Sequence, residues 1–403
     1  MSWSETALGD VAEFIRGITF KPDDVIPVSS KDAVACLRTK NVQEDVDISD
    51  VWGIPARFVR RSEQYLKNGD ILVSTANSWN LVGKCSWISS LPWPATLGGF
   101  ISALRASDKV DPRYLYHWFS SRQVQADVRK CARKTTNISN LSFEQCLALQ
   151  IPLPPLPEQR RIAEILDQAD ALRRLRRQSL SRLSNLGQAI FHEMFEDEAS
   201  ADWPKMSIAD VVDHDAGGIR TGPFGSQLLH SEFVDRGVPV LGIDNAVSNT
   251  FRWAKERFIT AEKYAKLSRY KVYPGDVLIT IMGTCGRCAI VPEDVGEAIN
   301  TKHLCCISLQ RSRCLPEYLH SYFLYHRDSL QYLGVRSKGA IMDGLNGGLI
   351  KAMPLTVPPM ELQQQFVKKL KLIEANEREF IAADERAWSL FSSLQHRAFC
   401  GEL

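Results

Sequence analysis

Pro154-Pro155-Leu156-Pro157-Glu158-Gln159-Arg160-Arg161-Ile162 and Pro358-Pro359-Met360-Glu361-Leu362-Gln363-Gln364-Gln365-Phe366 stand 204 positions apart, and each opens a long stretch without proline. Proline fixes φ and biases its predecessor to extended backbone. IPLPPLPEQ (151 to 159) and MPLTVPPME (353 to 361) therefore read as stiff straps, not flexible linkers. Beyond them, residues 158 to 199 reach about 60 Å as a helix, and residues 361 to 399 slightly less. The first stretch places Ile162, Ile165, Ala169, Leu172, Leu183, Leu186 and Ile190 at helical spacing, with polar gaps at Arg176 and Ser179. The second does the same with Phe366, Leu370, Ile373, Phe380, Ala387, Phe391, Leu394 and Ala398, interrupted by Glu377 and Asp384. Such seams bury against a partner helix. The simplest arrangement packs the two as an antiparallel coiled coil with a domain at each end. The other reading lays each helix on its own domain, but about 60 Å exceeds the diameter of a compact domain.

Working outward, the repeat covers the chain. An offset of 200 sets Trp3 on Trp203, Asp10 on Asp210, Val11 on Val211 and Gly17 on Gly217. At 206, LKNGDILVST (66 to 75) meets VYPGDVLITI (272 to 281), and at 203, Gly83-Lys84-Cys85 meets Gly286-Arg287-Cys288. DPRYLYHWF (111 to 119) and LPEYLHSYF (315 to 323) share the offset of 204, as do Leu141 and Leu345. Loop insertions produce such drift. The expected organisation is a domain over 1–150, strap and helix over 151–200, a second domain over 201–352, and strap and helix over 353–403. Each domain begins with short β-type runs and Gly/Pro turns, then continues into one helical segment, 112 to 130 or 316 to 332, with proline near its start. The fold class is α/β in the mixed, α+β sense, with internal pseudo-twofold repetition.

Of 403 residues, 44% are hydrophobic and 24% charged, which excludes a disordered or fibrous chain. A net charge of +2 excludes a bulk polycation, so any affinity for nucleic acid has to come from local patches. The start MSWSETALGDVAEFI is acidic where a signal peptide is basic, and no 18-residue apolar run occurs, so a cytoplasmic location is expected. Most of the ten cysteines read as reduced core thiols. Cys285 and Cys288 followed by Cys305-Cys306 resemble half a zinc ribbon, but adjacent strand cysteines aim to opposite faces, and the eight histidines show no HxH or HExxH spacing. No metal site is expected. A GxxxxGK[ST] phosphate loop is also absent, so the sequence holds no ATP-driven motor of that kind.

IPLPPLPEQRRIAEILDQADAL, its weaker partner MPLTVPPMELQQQFVKKL, and Thr221-Gly222-Pro223-Phe224-Gly225-Ser226-Gln227-Leu228 resemble the specificity subunit of type I restriction-modification enzymes over the full length. Copy one departs from the pattern, having Phe14-Ile15-Arg16-Gly17-Ile18-Thr19-Phe20-Lys21 in place of the TGPFGSQL loop. The resemblance implies two target-recognition domains, each followed by a long helix, the helices paired as a spacer. It further implies a non-catalytic subunit that reads a bipartite site on double-stranded DNA and docks two methylation subunits and restriction subunits. S-adenosylmethionine, ATP and Mg then belong to those partners, and this chain carries no cofactor. The alternatives are an orphan scaffold that binds only proteins, and a nuclease or methyltransferase with an unrecognised site.

Phosphate contacts give affinity and base edges give sequence choice, so the candidate readers are Arg and Lys beside Asn, Gln, Ser or Thr on Gly-rich loops. These are Arg16, Thr19 and Lys21 with Arg220, Thr221, Ser226 and Gln227 after the opening strands. Asn77, Trp79 and Asn80 stand opposite Thr284 and Arg287, while Arg133, Lys134, Thr135 and Asn137 stand opposite Arg336 and Lys338. Asn300 and Lys302 are read as peculiar to copy two. Arg173-Arg174-Leu175-Arg176-Arg177 tracks phosphates, binds an acidic partner surface, or is a solvated face. Glu158 and Gln159 suit a helix start.

Overall fold

The computed structural model describes residues 3–134, 138–196, 202–334 and 345–403. The chain forms two compact units, Met1–Gln178 with Ala382–Leu403, and Ser179–Ile381. Each unit therefore contains one β-rich copy, part of that copy's own long helix, and part of the long helix of the other copy.

In the first unit Glu5–Ala7 pairs antiparallel with Gln150–Pro152, tying the first strand to the strap. Between them lies a four-stranded sheet in the order Ala12–Arg16, Ile101–Ala106, Ile71–Ser74, Cys85–Trp87. A three-stranded sheet orders Trp52–Pro55, Ala33–Leu37 and Ala95–Leu97, the last two parallel. The second unit repeats the plan. Lys205–Ser207 pairs with Pro354–Thr356, Ile219–Thr221, Leu304–Ile307, Val277–Thr280 and Cys288–Ile290 form one sheet, and Phe258–Ile259, Val238–Leu241 and Ile299–Asn300 form the other. The duplication read from the sequence holds for these three sheets.

One register differs from the sequence alignment. Gly17 corresponds to Gly222, not Gly217: a Cβ on Gly17 would overlap the Gly98 carbonyl, and a Cβ on Gly222 would overlap that of Asn300. The shift is absorbed by a turn in copy two, where the Asp213 carboxylate accepts the Asp215 and Ala216 N–H groups and its carbonyl accepts that of Gly218. The single helical segments expected at 112–130 and 316–332 are each two helices. Pro112–Ser120 gives way to Arg122–Lys130, and Pro316–Tyr325 to Arg327–Tyr332. The break falls on Ser121 and His326, whose extended backbone and side-chain acceptors cap the second helix of each pair.

The long helices span Leu156–Phe195 and Met360–Cys400. Ile162, Leu166, Phe391 and Ala398 join the core of the first unit, with Leu394 packed beside it. Phe191, Phe195 and Phe366 anchor the second, with Ile190 and Leu370 alongside. Ile373 is buried, whereas Ile165 and Leu183 are half-buried. Three seam assignments need correction, Leu172, Leu186 and Phe380. Leu172 is 62% exposed because Arg173 takes the inward position, completing the buried carboxylate of Asp170. Leu186 is exposed because the inward position falls on Gly187, whose added Cβ would lie 3.3 Å from Leu370 Cδ2. Phe380 is exposed, and Glu377 is the half-buried residue of that turn.

Gln159 and Gln363 do more than suit a helix start. Both are buried, and each ties its strap to the residues before the shorter helices. Gln159 accepts the Asp111 N–H (2.8 Å) and donates to the Pro154 and Lys109 carbonyls. Gln363 accepts the Leu315 N–H (2.9 Å) and donates to Pro358 and Arg313. The hydroxyls of Tyr114 and Tyr318 donate to the Pro152 and Thr356 carbonyls and hold the same strap one step earlier.

Candidate nucleic-acid interface

In each copy a buried aspartate stands between a glycine turn and the strand that follows it, and that residue decides which arginines remain for a ligand. Gly69 and Gly275 adopt φ of 92° and 80°, which costs glycine little, and Asp70 and Asp276 follow them. Arg105 meets Asp70 through two guanidinium nitrogens at 2.7 Å. In copy two the counterpart of Arg105 is Ser308, and the cation comes instead from Arg220, with Nη2 2.5 Å from Asp276 Oδ2. Arg220 also donates to the Lys271 carbonyl and to Ser308 Oγ. It is a core ion pair and not a base reader, which corrects the sequence expectation. Asn300 is corrected on similar grounds, being buried with its amide given to the Leu304 carbonyl (2.9 Å).

The other candidates sit on loops as expected. In copy one Arg16, Thr19, Lys21, Trp79, Asn80, Arg133 and Lys134 are exposed. A small sheet of Ala132–Lys134, Ser139–Leu141 and Ala76–Asn77 brings several together, with Lys134 Nζ 5.5 Å above the Trp79 ring. Asn77 spends its amide locally on Ser74 Oγ and the Ser78 N–H, and Arg16 lies over Phe143. In copy two Ser226, Gln227, Thr284 and Arg287 are exposed, and Thr221 and Lys302 half-buried. Gln227 Oε1 accepts from the Phe224 N–H and the Tyr270 hydroxyl. Thr135, Asn137, Arg336 and Lys338 lie outside the described residues.

The Asn300–His303 loop is not peculiar to copy two. Thr301 N–H bonds to the Leu241 carbonyl as Gly98 N–H does to Leu37, so Gly98-Gly99-Phe100 is its counterpart. The Gly-Gly pair before an exposed Phe100 was the available signal. In copy two His303 is held below the ordinary imidazole range by burial first, then by the neighbouring charges of Lys302 and Arg257.

Of the three readings of the basic run, the described contacts favour none that leaves it free. Arg173 bonds Asp170 and Glu44, Arg174 bonds Asp170 and Asp45, and Arg177 bonds Glu44. Arg173 also lies 4.6 Å from the Trp388 ring centre. A cavity of about 700 Å³ opens beside it, with Arg122 and Arg129 on its wall. Burial raises the thiols of Cys85, Cys146 and Cys305 to about 12, so they stay protonated. Among the described residues no three His, Cys, Asp or Glu side chains converge to hold a metal, and no helix is long and apolar enough to cross a membrane.

Burial also sets a pH dependence. His117, His320 and His326 are all held below the usual imidazole value, chiefly by desolvation. Folded, they stay neutral where the unfolded chain binds protons, so stability is full above about pH 6.5 and falls as pH drops below it. Urea unfolding at pH 7.5 and 5.5 is expected to show a lower midpoint at 5.5. Equal midpoints would contradict this account.

Tandem copies of one sheet-and-loop domain, each followed by a helix of 40 or 41 residues, define the class of protein. A family model described as the type I restriction modification DNA specificity domain matches residues 2–185 and 201–382, and the chain belongs to that family. It is 23% identical to the type I restriction enzyme EcoKI specificity subunit of Escherichia coli K12, over 100% of this chain and 89% of that protein. It is 24% identical to the putative MjaX specificity subunit of Methanocaldococcus jannaschii, over 92% and 87%. A chain from a structural study of type I R-M complex assembly superposes with a TM-score of 0.63 at 16% identity, covering 100% of this chain and 98% of that one. The type I S subunit from M. genitalium gives 0.55 at 14%, covering 99% and 96%.

Proposed function

We propose that this chain is the DNA-reading subunit of a type I restriction-modification complex, each copy recognising one half of a bipartite target. The observation that carries the reading is one scaffold used twice with different loop chemistry. Copy one presents Thr19, Phe20 and Gly98-Gly99-Phe100 where copy two presents Phe224, Gly225 and Thr301-Lys302-His303. A shared fold with divergent loops suits two different half-sequences. The subunit is non-catalytic. Methylation and restriction subunits supply S-adenosylmethionine, ATP and Mg chemistry, and two methylation subunits match the twofold repetition. The long helices act as an antiparallel spacer whose length sets the gap between half-sites. Their exposed apolar side chains, Leu172, Leu372 and Leu390 among them, supply area for docking partners.

A net charge of +2 suits a reader whose affinity is completed by those partners. Exchanging residues 203–352 for the equivalent part of another family member, within the assembled complex, is expected to change one half of the methylated motif and leave the other. A change in both halves would overturn independent reading. A scaffold that binds only proteins would support no sequence-specific methylation at all.

A further inference from the structure

The pairing of the three-stranded sheets aligns the two copies residue by residue. Cys36 faces Trp52 as Val240 faces Arg257, since Val240 N–H bonds to the Arg257 carbonyl. The N–H groups of Arg38 and Gly242 each donate to an asparagine three residues on, Asn41 and Asn245. Arg38 thus corresponds to Gly242, and Trp52 to Arg257. In copy one the Arg38 guanidinium stacks on Trp52, 3.6 Å from the ring centre. In copy two a Cβ on Gly242 would overlap the Arg257 guanidinium. The same pair of strand ends therefore carries a carboxylate-paired guanidinium in both copies, from opposite strands, and the glycine in copy two makes room for the Arg257 guanidinium where Arg38 has its Cβ.

Both guanidiniums are oriented by a carboxylate. Arg38 Nη2 donates to Asp50 (3.3 Å to its carbonyl, 3.4 Å to Oδ1), and Arg257 Nη2 to Asp244 Oδ1 at 2.5 Å. Their side chains keep 19% and 21% of their surface in solvent, unlike Arg220 at 8%. Arg38 borders an open cavity of about 510 Å³ formed with Thr19, Phe20, Lys40, Gly99 and Phe100, most of them on the loops that carry candidate readers. A planar cation held by stacking and a carboxylate loses little further freedom on contact, and its fork matches guanine O6 and N7.

We infer that Arg38 and Arg257 are specificity-determining residues, each reading a guanine edge in its own half-site. The inference rests on the DNA-reading function proposed above. The test is selection from a randomised duplex library by the complex of the full chain with its methylation subunits. Wild type is expected to enrich a bipartite motif. Arg38→Ala should lose preference at one G·C pair of one half, and Arg257→Ala at one G·C pair of the other, each by roughly ten- to hundredfold. Arg38→Lys and Arg257→Lys keep the charge beside Asp50 and Asp244 and should lose the same preference while retaining affinity for scrambled duplex. They serve as the readout if an alanine variant melts early. If the lysine variants enrich the wild-type motif, or all variants lose affinity equally for selected and scrambled duplex, the inference fails while DNA reading stands. If wild type enriches nothing, the proposed function fails with it.

Discussion

Asp276→Ala is expected to lower the unfolding free energy by about 3–5 kcal/mol, because it strands a guanidinium inside the second unit. Asp276 accepts from Arg220, from Ser308 Oγ at 2.6 Å and from the Tyr273 N–H at 2.8 Å, and it is 3% exposed. Desolvated charge without its partner is far costlier than the intact pair is favourable. Against a domain stability of about 5–15 kcal/mol the loss is large. Arg220→Ala should be comparably destabilising, leaving the carboxylate alone, and any loss of DNA binding should follow the loss of folded protein. Asp70→Ala should cost less, since the Arg105 side chain keeps 15% of its surface in solvent against 8% for Arg220 and is less desolvated when left alone. Urea denaturation of the full chain measures all three. An Asp276→Ala variant within about 1 kcal/mol of wild type would refute the buried-pair account.

The second large effect lies in the straps. Gln363→Ala removes three hydrogen bonds and orphans the Leu315 N–H and the Pro358 and Arg313 carbonyls, and a loss of about 3 kcal/mol is expected. Gln159→Ala should behave alike, with the Asp111 N–H and the Pro154 and Lys109 carbonyls left unpaired. The sharper variant is Gln363→Glu, which keeps an acceptor for Leu315 but turns two donors into lone pairs facing carbonyls. It should destabilise at least as much as alanine, whereas amide exchange at Leu315 should accelerate more in Gln363→Ala, which alone removes the acceptor. Wild-type stability in Gln363→Glu would show that the amide donors contribute nothing.

The repeat, the straps and the long helices were legible because they rest on local patterns: Gly-Asp before a β-rich run, proline clusters, and apolar spacing over ten turns. The helix breaks at Ser121 and His326 were not, since neither position carries Gly or Pro, and both depend on a side-chain cap. Arg220 looked like a loop cation because the aspartate that claims it lies 56 residues away, and copy one satisfies the equivalent aspartate from another strand. Arg38 and Arg257 escaped for the converse reason. They lie on opposite strands of the same pair, so no sequence alignment superposes them. Leu172 and Leu186 show the limit of periodicity: a neighbouring Arg173 or Gly187 took the inward place for reasons of charge and close approach.

The helix end that completes the first unit has a consequence for how the chain is made. Residues 382–403 belong with residues 1–178, and the contacts are concrete: Gln395 Nε2 donates to the His117 carbonyl, 278 positions away, and Arg161 Nη2 to that of Leu403. Tyr114 packs its ring on Phe399. Copy one leaves the ribosome before copy two and is thus completed after it, its core open along one side throughout translation of the second copy. At about 5–20 residues per second that interval is on the order of ten seconds or more. The exposed flank of the nascent domain is the surface on which a chaperone, or a premature neighbour, has time to act.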